Sequence, residues 1–199
     1  EDVAALLHEK ESDLGALDAI AGDGDHGRGM TTGCDAALAA ARVAVSADAG
    51  LASALAVAGD AWADKAGGTS GALWGNGLHA AASTLDDTAS PSAEDVVAAV
   101  VAARDLVTTF GKAQRNDKTL LDALIPFVES LESGVQSGQS LVEAWVAAAE
   151  VATQQAEATA DLAPKIGRSR VLADRSQGHP DPGAVSLALV LTRVGERLG

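Results

Sequence analysis

Tyrosine is absent from this chain, phenylalanine occurs twice and tryptophan three times, so aromatic residues make up only 3% of the 199. That scarcity argues against a sheet protein, whose strands favour aromatic and β-branched side chains, while a hydrophobic content of 47% with much alanine suits closely packed helices. The single cysteine, Cys34, excludes an intramolecular disulfide framework and a cysteine-rich zinc site, and with them points to a reducing, cytoplasmic compartment. No apolar run reaches the length of a membrane span and no signal-peptide pattern opens the chain, so no membrane partner is expected. The chain starts directly in helical sequence, as a trimmed chain or a domain cut from a longer one would. Basic residues are also few, 14 against 28 acidic ones, giving a net charge of −14. Without a basic stripe no nucleic-acid partner is expected. An anionic ligand would have to be met by backbone N–H groups, helix N-termini and bridging cations.

Apolar residues recur at intervals of three and four over almost the whole length, broken by Gly, Pro, Ser and Asp clusters. The spacing predicts about eight helices: residues 2–14, 28–45, 48–65, from just after Gly71 to about Leu85, from Pro91-Ser92 through Phe110, from about Asp117 onward through Pro126, 138–160 and 183–198. Pro126 is expected to kink the sixth or leave it locally unpaired. Between Pro164 and Pro182 the periodicity lapses, and a long irregular stretch within one domain is more often functional than idle. The expected architecture is all-α, one domain over 1–199, with eight helices in an antiparallel up-and-down bundle or barrel.

The chemistry concentrates in Asp18–Met30. Asp23 and Asp25 alternate along an extended loop and can face the same way, with Asp18 joining from the preceding helix. Converging carboxylates repel, and a hard divalent cation such as Mg²⁺ relieves the repulsion. Gly27 and Gly29 permit close approach to a ligand at the start of the following helix. The competing reading is an Asx/Gly turn between two helices. An EF-hand starting at Asp23 fails, because Arg28 and Cys34 stand where Gly and Glu are required. A Walker A loop fails as well, since Gly111-Lys112 is followed by Ala113 and Leu106 occupies the first glycine position.

Three further polar loops stand out. Residues 67–71 join glycines to the hydroxyls of Thr69 and Ser70 at a helix start, either a phosphate cradle or a plain cap. In Asn116-Asp117-Lys118-Thr119 the simplest reading makes Asp117 the helix cap. Residues 167–183 carry Arg168 and Arg170, planar donors suited to phosphate, and end in the rigid turn His179-Pro-Asp-Pro-Gly183. With the acidic loop these precede helices two, four, six and eight, so in an up-and-down bundle all four share one end.

The motifs Gly22-Asp-Gly-Asp-His-Gly27, Gly68-Thr-Ser-Gly-Ala-Leu73, Asp117-Lys-Thr-Leu-Leu-Asp122 and Gly178-His-Pro-Asp-Pro-Gly183 together resemble the DhaL family, the nucleotide-binding subunit or C-terminal domain of dihydroxyacetone-type kinases. The related fatty acid kinase domain typically has Thr where this chain has His26. The resemblance implies an eight-helix barrel holding ATP or ADP and two Mg²⁺ at one end. It implies Asp18, Asp23 and Asp25 as metal ligands and His26, Thr69, Ser70 and Gly71 around the phosphates. Leu73, Thr119 and Leu120 would border the nucleoside, Arg168 would reach the transferring phosphoryl group as the catalytic residue, and Asp181 with Gly183 would complete the wall. The implied partner is a DhaK-type substrate-binding domain that presents a hydroxyketone, dihydroxyacetone or a relative such as erythrulose. An ADP relay served by a phosphotransferase-system phosphocarrier, and a non-catalytic nucleotide sensor, are the alternatives. Ser169-Arg170-Val171-Leu172 departs from the family's Ala-Ser-Tyr-Leu, and Leu120 replaces a common Met.

Overall fold

The computed structural model describes the backbone of all 199 residues and every side chain except that of Arg168. Its helices are α1 (Asp2–Asp18), α2 (His26–Ser46), α3 (Leu51–Ala66), α4 (Gly68–Ala82), α5 (Ala93–Gly111), α6 (Leu121–Gln136), α7 (Leu141–Ala158), the single-turn α8 (Ala173–Ser176) and α9 (Pro182–Leu198), with short 3₁₀ turns at Thr159–Asp161 and Arg168–Leu172. Among the described residues there is no strand, and the long helices match the eight expected. None of the helices is long and apolar enough to cross a membrane.

Local chemistry sets several of the boundaries. Ser92 and Ser140 each accept from the backbone N–H three residues on, while Asp95 and Glu143 reach back to the serine N–H, closing a capping box at the start of α5 and of α7. α4 starts at Gly68, not after Gly71, so the glycine-hydroxyl loop forms the helix's own first turn. α6 runs as helix through Pro126 from Leu121 to Gln136.

The chain divides into two compact units, one formed by Glu1 with Gly29–Lys112 and the other by Asp2–Arg28 with Ala113–Gly199. In the first, α3 packs on α4 and α4 on α5. Backbone proximity explains the small residues there: a Cβ on Gly59 would lie 2.6 Å from the Gly75 carbonyl oxygen, so no side chain fits at the crossing. Trp62 and Trp74 stack alongside with ring centroids 5.1 Å apart. Cys34 is buried in this unit, and burial pushes its thiol pKa up to about 11, which makes it an inert core residue.

In the second unit α7 packs on α6 and α9, and α1 and α6 also meet α9. Its core holds Leu7, Leu14, Leu121, Phe127, Val128 and Leu131, all at 2% exposure or less. Phe127 meets Trp145 edge-on at 5.0 Å, and the Trp145 indole N–H donates to the Leu191 carbonyl at 2.9 Å, tying α7 to α9. Truncating Phe127 removes the ring that joins α6 to α7 and leaves a cavity that a helical core fills only in part. Phe127→Ala is therefore expected to lower unfolding stability by about 3 to 5 kcal/mol in urea titration, whereas an Ala at the 71% exposed Val43 changes it by about 0.5 kcal/mol or less.

Candidate functional site

α1 ends at Asp18, and α2 starts at His26 after a seven-residue turn that carries Asp23 and Asp25. One carboxylate oxygen from each of Asp18, Asp23 and Asp25 lies within 4.8 Å of the others. That approaches the span of about 4.2 Å between two oxygens on opposite sides of an ion coordinated at about 2.1 Å. Three hard oxygen donors, two of them exposed, suit Mg²⁺ with water or ligand oxygens in its remaining positions. The turn is held from within, because Asp18 Oδ2 accepts from the Gly24 N–H at 2.8 Å. Close packing holds it from outside: a Cβ on Gly27 would sit 2.0 Å from the Glu11 carbonyl oxygen, so α2 leaves the turn pressed against α1.

His26, the first residue of α2, places its Nε2 2.9 Å from Ser186 Oγ in α9. Burial lowers its pKa more than the nearby Asp18 carboxylate and the Pro182 carbonyl raise it, which favours the neutral ring near pH 7. The acidic turn is thereby linked to the first turns of α9. The same end of α9 meets the loop before α6, since a Cβ on Gly183 would fall 3.5 Å from Leu120 Cβ. Asp181 caps α9 by accepting from the Ala184 N–H at 2.8 Å, and its own N–H donates to Thr159 Oγ1 at 2.8 Å.

Of the residues expected from sequence, Asp18, Asp23, Asp25, His26, Thr119, Leu120, Asp181 and Gly183 belong to the second unit, and within it the contacts above join His26 and Leu120 to the start of α9. Thr69, Ser70, Gly71 and Leu73 belong to the first unit, in the first two turns of α4, where Thr69 and Ser70 are exposed and Gly71 is buried. Arg168 opens the 3₁₀ turn of Arg168–Leu172, and its side chain lies outside the described residues.

One expectation is corrected. Asp117 does not cap α6: the helix starts four residues later, Leu120 holds the cap position without a side-chain bond, and the Asp117 carboxylate accepts instead from the Gln114 N–H at 2.9 Å. Loop closure falls to Asp122, which accepts from the Thr119 N–H at 2.8 Å and from the Asn116 N–H. Lys118, also passed over, is only 2% exposed, with its ammonium donating to the carbonyls of Leu162 at 3.0 Å and Ser176 at 2.7 Å. It thereby fastens both ends of the irregular segment 163–175 to the α6 loop. A lysine between asparagine, aspartate and threonine carries no pattern that announces burial. Ser186 was hidden for the opposite reason, as one polar residue inside a periodic apolar helix.

The DAK2 domain family matches residues 20–196 of the chain. A D-erythrulose kinase from Mycolicibacterium smegmatis is 53% identical over 194 residues, which is 98% of this chain and 33% of that protein. The ADP-binding subunit DhaL of the PEP-dependent dihydroxyacetone kinase of Escherichia coli is 32% identical over 178 residues, 89% of this chain and 84% of the subunit. The crystal structure of the dihydroxyacetone kinase from C. freundii in complex with AMP-PNP and Mg²⁺ shares the fold with a TM-score of 0.71 at 28% identity, over 99% of this chain and 32% of that one. The chain thus spans about a third of the length of the erythrulose kinase and of the crystallised kinase.

Asp181 yields a pH signature. Burial raises the Asp181 carboxyl pKa from 3.8 to about 7, with the Asp122 charge adding and the Ala184 N–H and the Lys118 ammonium opposing. An acid whose pKa is higher folded than unfolded binds its proton more tightly in the folded state. Its contribution is full below about pH 4 and is lost as pH rises toward 7. Asn at this position still caps α9 but carries no charge. Asp181→Asn is therefore expected to gain about 2 to 4 kcal/mol relative to the parent protein between pH 4 and pH 7.5 in denaturant titrations. Parallel pH profiles would contradict the assignment.

Proposed function

We propose, starting from the fact that this chain belongs to the DAK2 domain family and is of the DhaL type, that it is the nucleotide-binding domain of a kinase for a small hydroxyketone. The acceptor is erythrulose or dihydroxyacetone, presented by a separate substrate-binding domain. The observation that carries the reading is the convergence of Asp18, Asp23 and Asp25 within 4.8 Å directly before the N-terminus of α2. Asp18, Asp23 and Asp25 would hold Mg²⁺, proposed as two ions, which would supply charge neutralisation for the phosphates. The first backbone N–H groups of α2 and of α4, with the Thr69 and Ser70 hydroxyls, are donors for phosphate oxygens. By the family's motifs Gly71 and Leu73 in the first unit are assigned to the phosphates and the nucleoside respectively, and Thr119, Leu120, Asp181 and Gly183 in the second unit to the nucleoside. The 53% identity to a D-erythrulose kinase, against 32% to the ADP-binding subunit from E. coli, favours direct transfer from ATP over an ADP relay.

The domain's work is placement. A phosphoryl transfer needs in-line geometry and charge stabilisation more than covalent help from the protein, and an acceptor held close to the γ-phosphate supplies most of the rate. Arg168 is assigned to the transferring group, where a planar bidentate donor gains most as charge redistributes. With the substrate-binding domain, ATP, Mg²⁺ and erythrulose, phosphorus NMR is expected to show sugar phosphate accumulating over many turnovers. Arg168→Ala lowers kcat at least about tenfold while changing ADP affinity by about threefold or less. Equal losses in both would make Arg168 a ground-state phosphate ligand, and no product with either hydroxyketone would remove the kinase reading.

A further inference from the structure

Ser186 sits in the second turn of α9 and is fully buried. A buried hydroxyl is costly unless it is bonded, and this one has two partners. It donates to the Gly183 carbonyl at 3.1 Å and lies 2.9 Å from His26 Nε2. A hydroxyl has a single hydrogen. A hydroxyl hydrogen directed to the Gly183 carbonyl leaves a lone pair facing the imidazole, an arrangement that calls for Nε2 as the donor.

We propose that Ser186 is a positioning residue for His26, fixing the ring plane and the Nε2–H tautomer and leaving Nδ1 as the nitrogen that serves the phosphate site. This rests on the kinase reading, and it changes what His26 does there. With Nε2 committed to Ser186, the neutral ring has no N–H left to donate to a phosphate oxygen. Its remaining nitrogen accepts a hydrogen bond, from water or a hydroxyl, and donation to phosphate falls to backbone N–H groups and hydroxyls. Loss of the Ser186 hydroxyl frees the ring to rotate and exchange tautomers while the carboxylates and the helix N-terminus stay in place. The cost therefore falls on turnover and not on nucleotide affinity.

The test begins on the unliganded chain labelled with ¹⁵N-histidine at pH 8, with the His26 signals identified by their loss in His26→Asn. Long-range proton–nitrogen spectra of the unaltered protein are expected to show Nε2 protonated and Nδ1 bare. In Ser186→Ala the pattern shifts toward a mixture of tautomers, with circular dichroism unchanged. With the substrate-binding domain present, the same variant is expected to lose about tenfold in kcat and to keep Mg–ADP affinity within about threefold. A protonated Nδ1 in the unaltered protein, an unchanged imidazole spectrum in Ser186→Ala, or an unchanged kcat overturns the proposal. The spectra need no nucleotide, so failure of the unaltered chain to bind Mg–ADP would count against the kinase reading separately, while the tautomer result stands or falls on its own.

Discussion

A single carboxylate, that of Asp181, closes the start of α9 in surroundings that disfavour its charge. It accepts from the Ala184 N–H, and burial still raises its pKa to about 7. The second unit tolerates this because so much else depends on where α9 starts. From that turn Gly183 adjoins Leu120, the Asp181 N–H reaches Thr159, and Ser186 reaches His26. The α6 loop, the end of α7 and the acidic turn thus take their places from one helix end. A cap contributes about 1 kcal/mol by itself. Its larger effect here is to set the register of every contact made by the two turns that follow.

Lys118 performs the complementary task on the other side of that end. Its ammonium is desolvated, which lowers its pKa, and Asp181 and Asp161 supply the compensating field. Two carbonyls, from Leu162 and Ser176, complete its coordination. The residue also takes a left-handed backbone conformation, φ 61°, that non-glycine residues rarely adopt. A buried cation in a strained backbone conformation thus joins three segments and holds the loop before α6 in place. The acidic turn follows the opposite logic: its carboxylates converge, and a cation bound there would relieve their mutual repulsion.

Helix periodicity and turn chemistry made much of this legible beforehand. The stripes of α5, α7 and α9 place those helices within a few residues, and Pro91-Ser92 marks the start of α5; the capping boxes at Ser92 and Ser140 emerge only in the structure. The acidic triad was readable because alternation along a short loop brings carboxylates together whatever the surrounding fold. Where local signals conflicted, the reading slipped. Asp117 has the right type for a cap, but Asp122 takes the loop's N–H groups, which moves the start of α6 to Leu121. The stretch 164–182 lacks periodicity because its helical pieces, Arg168–Leu172 and Ala173–Ser176, are too short to repeat a stripe. The roles of Lys118 and Ser186 depend on partners 44 to 160 residues away in sequence, and no local pattern encodes those.

On the proposed reading this domain holds its nucleotide through a cation seated on Asp18, Asp23 and Asp25. Calorimetric titration of ADP into the chain, in Mg²⁺ and in EDTA, with Asp25→Asn alongside, tests it most directly. Binding in Mg²⁺ that weakens at least about a hundredfold in EDTA and equally in Asp25→Asn, with the variant's metal-free stability unchanged or higher, is the expected result. ADP binding of equal affinity with and without Mg²⁺ would contradict it.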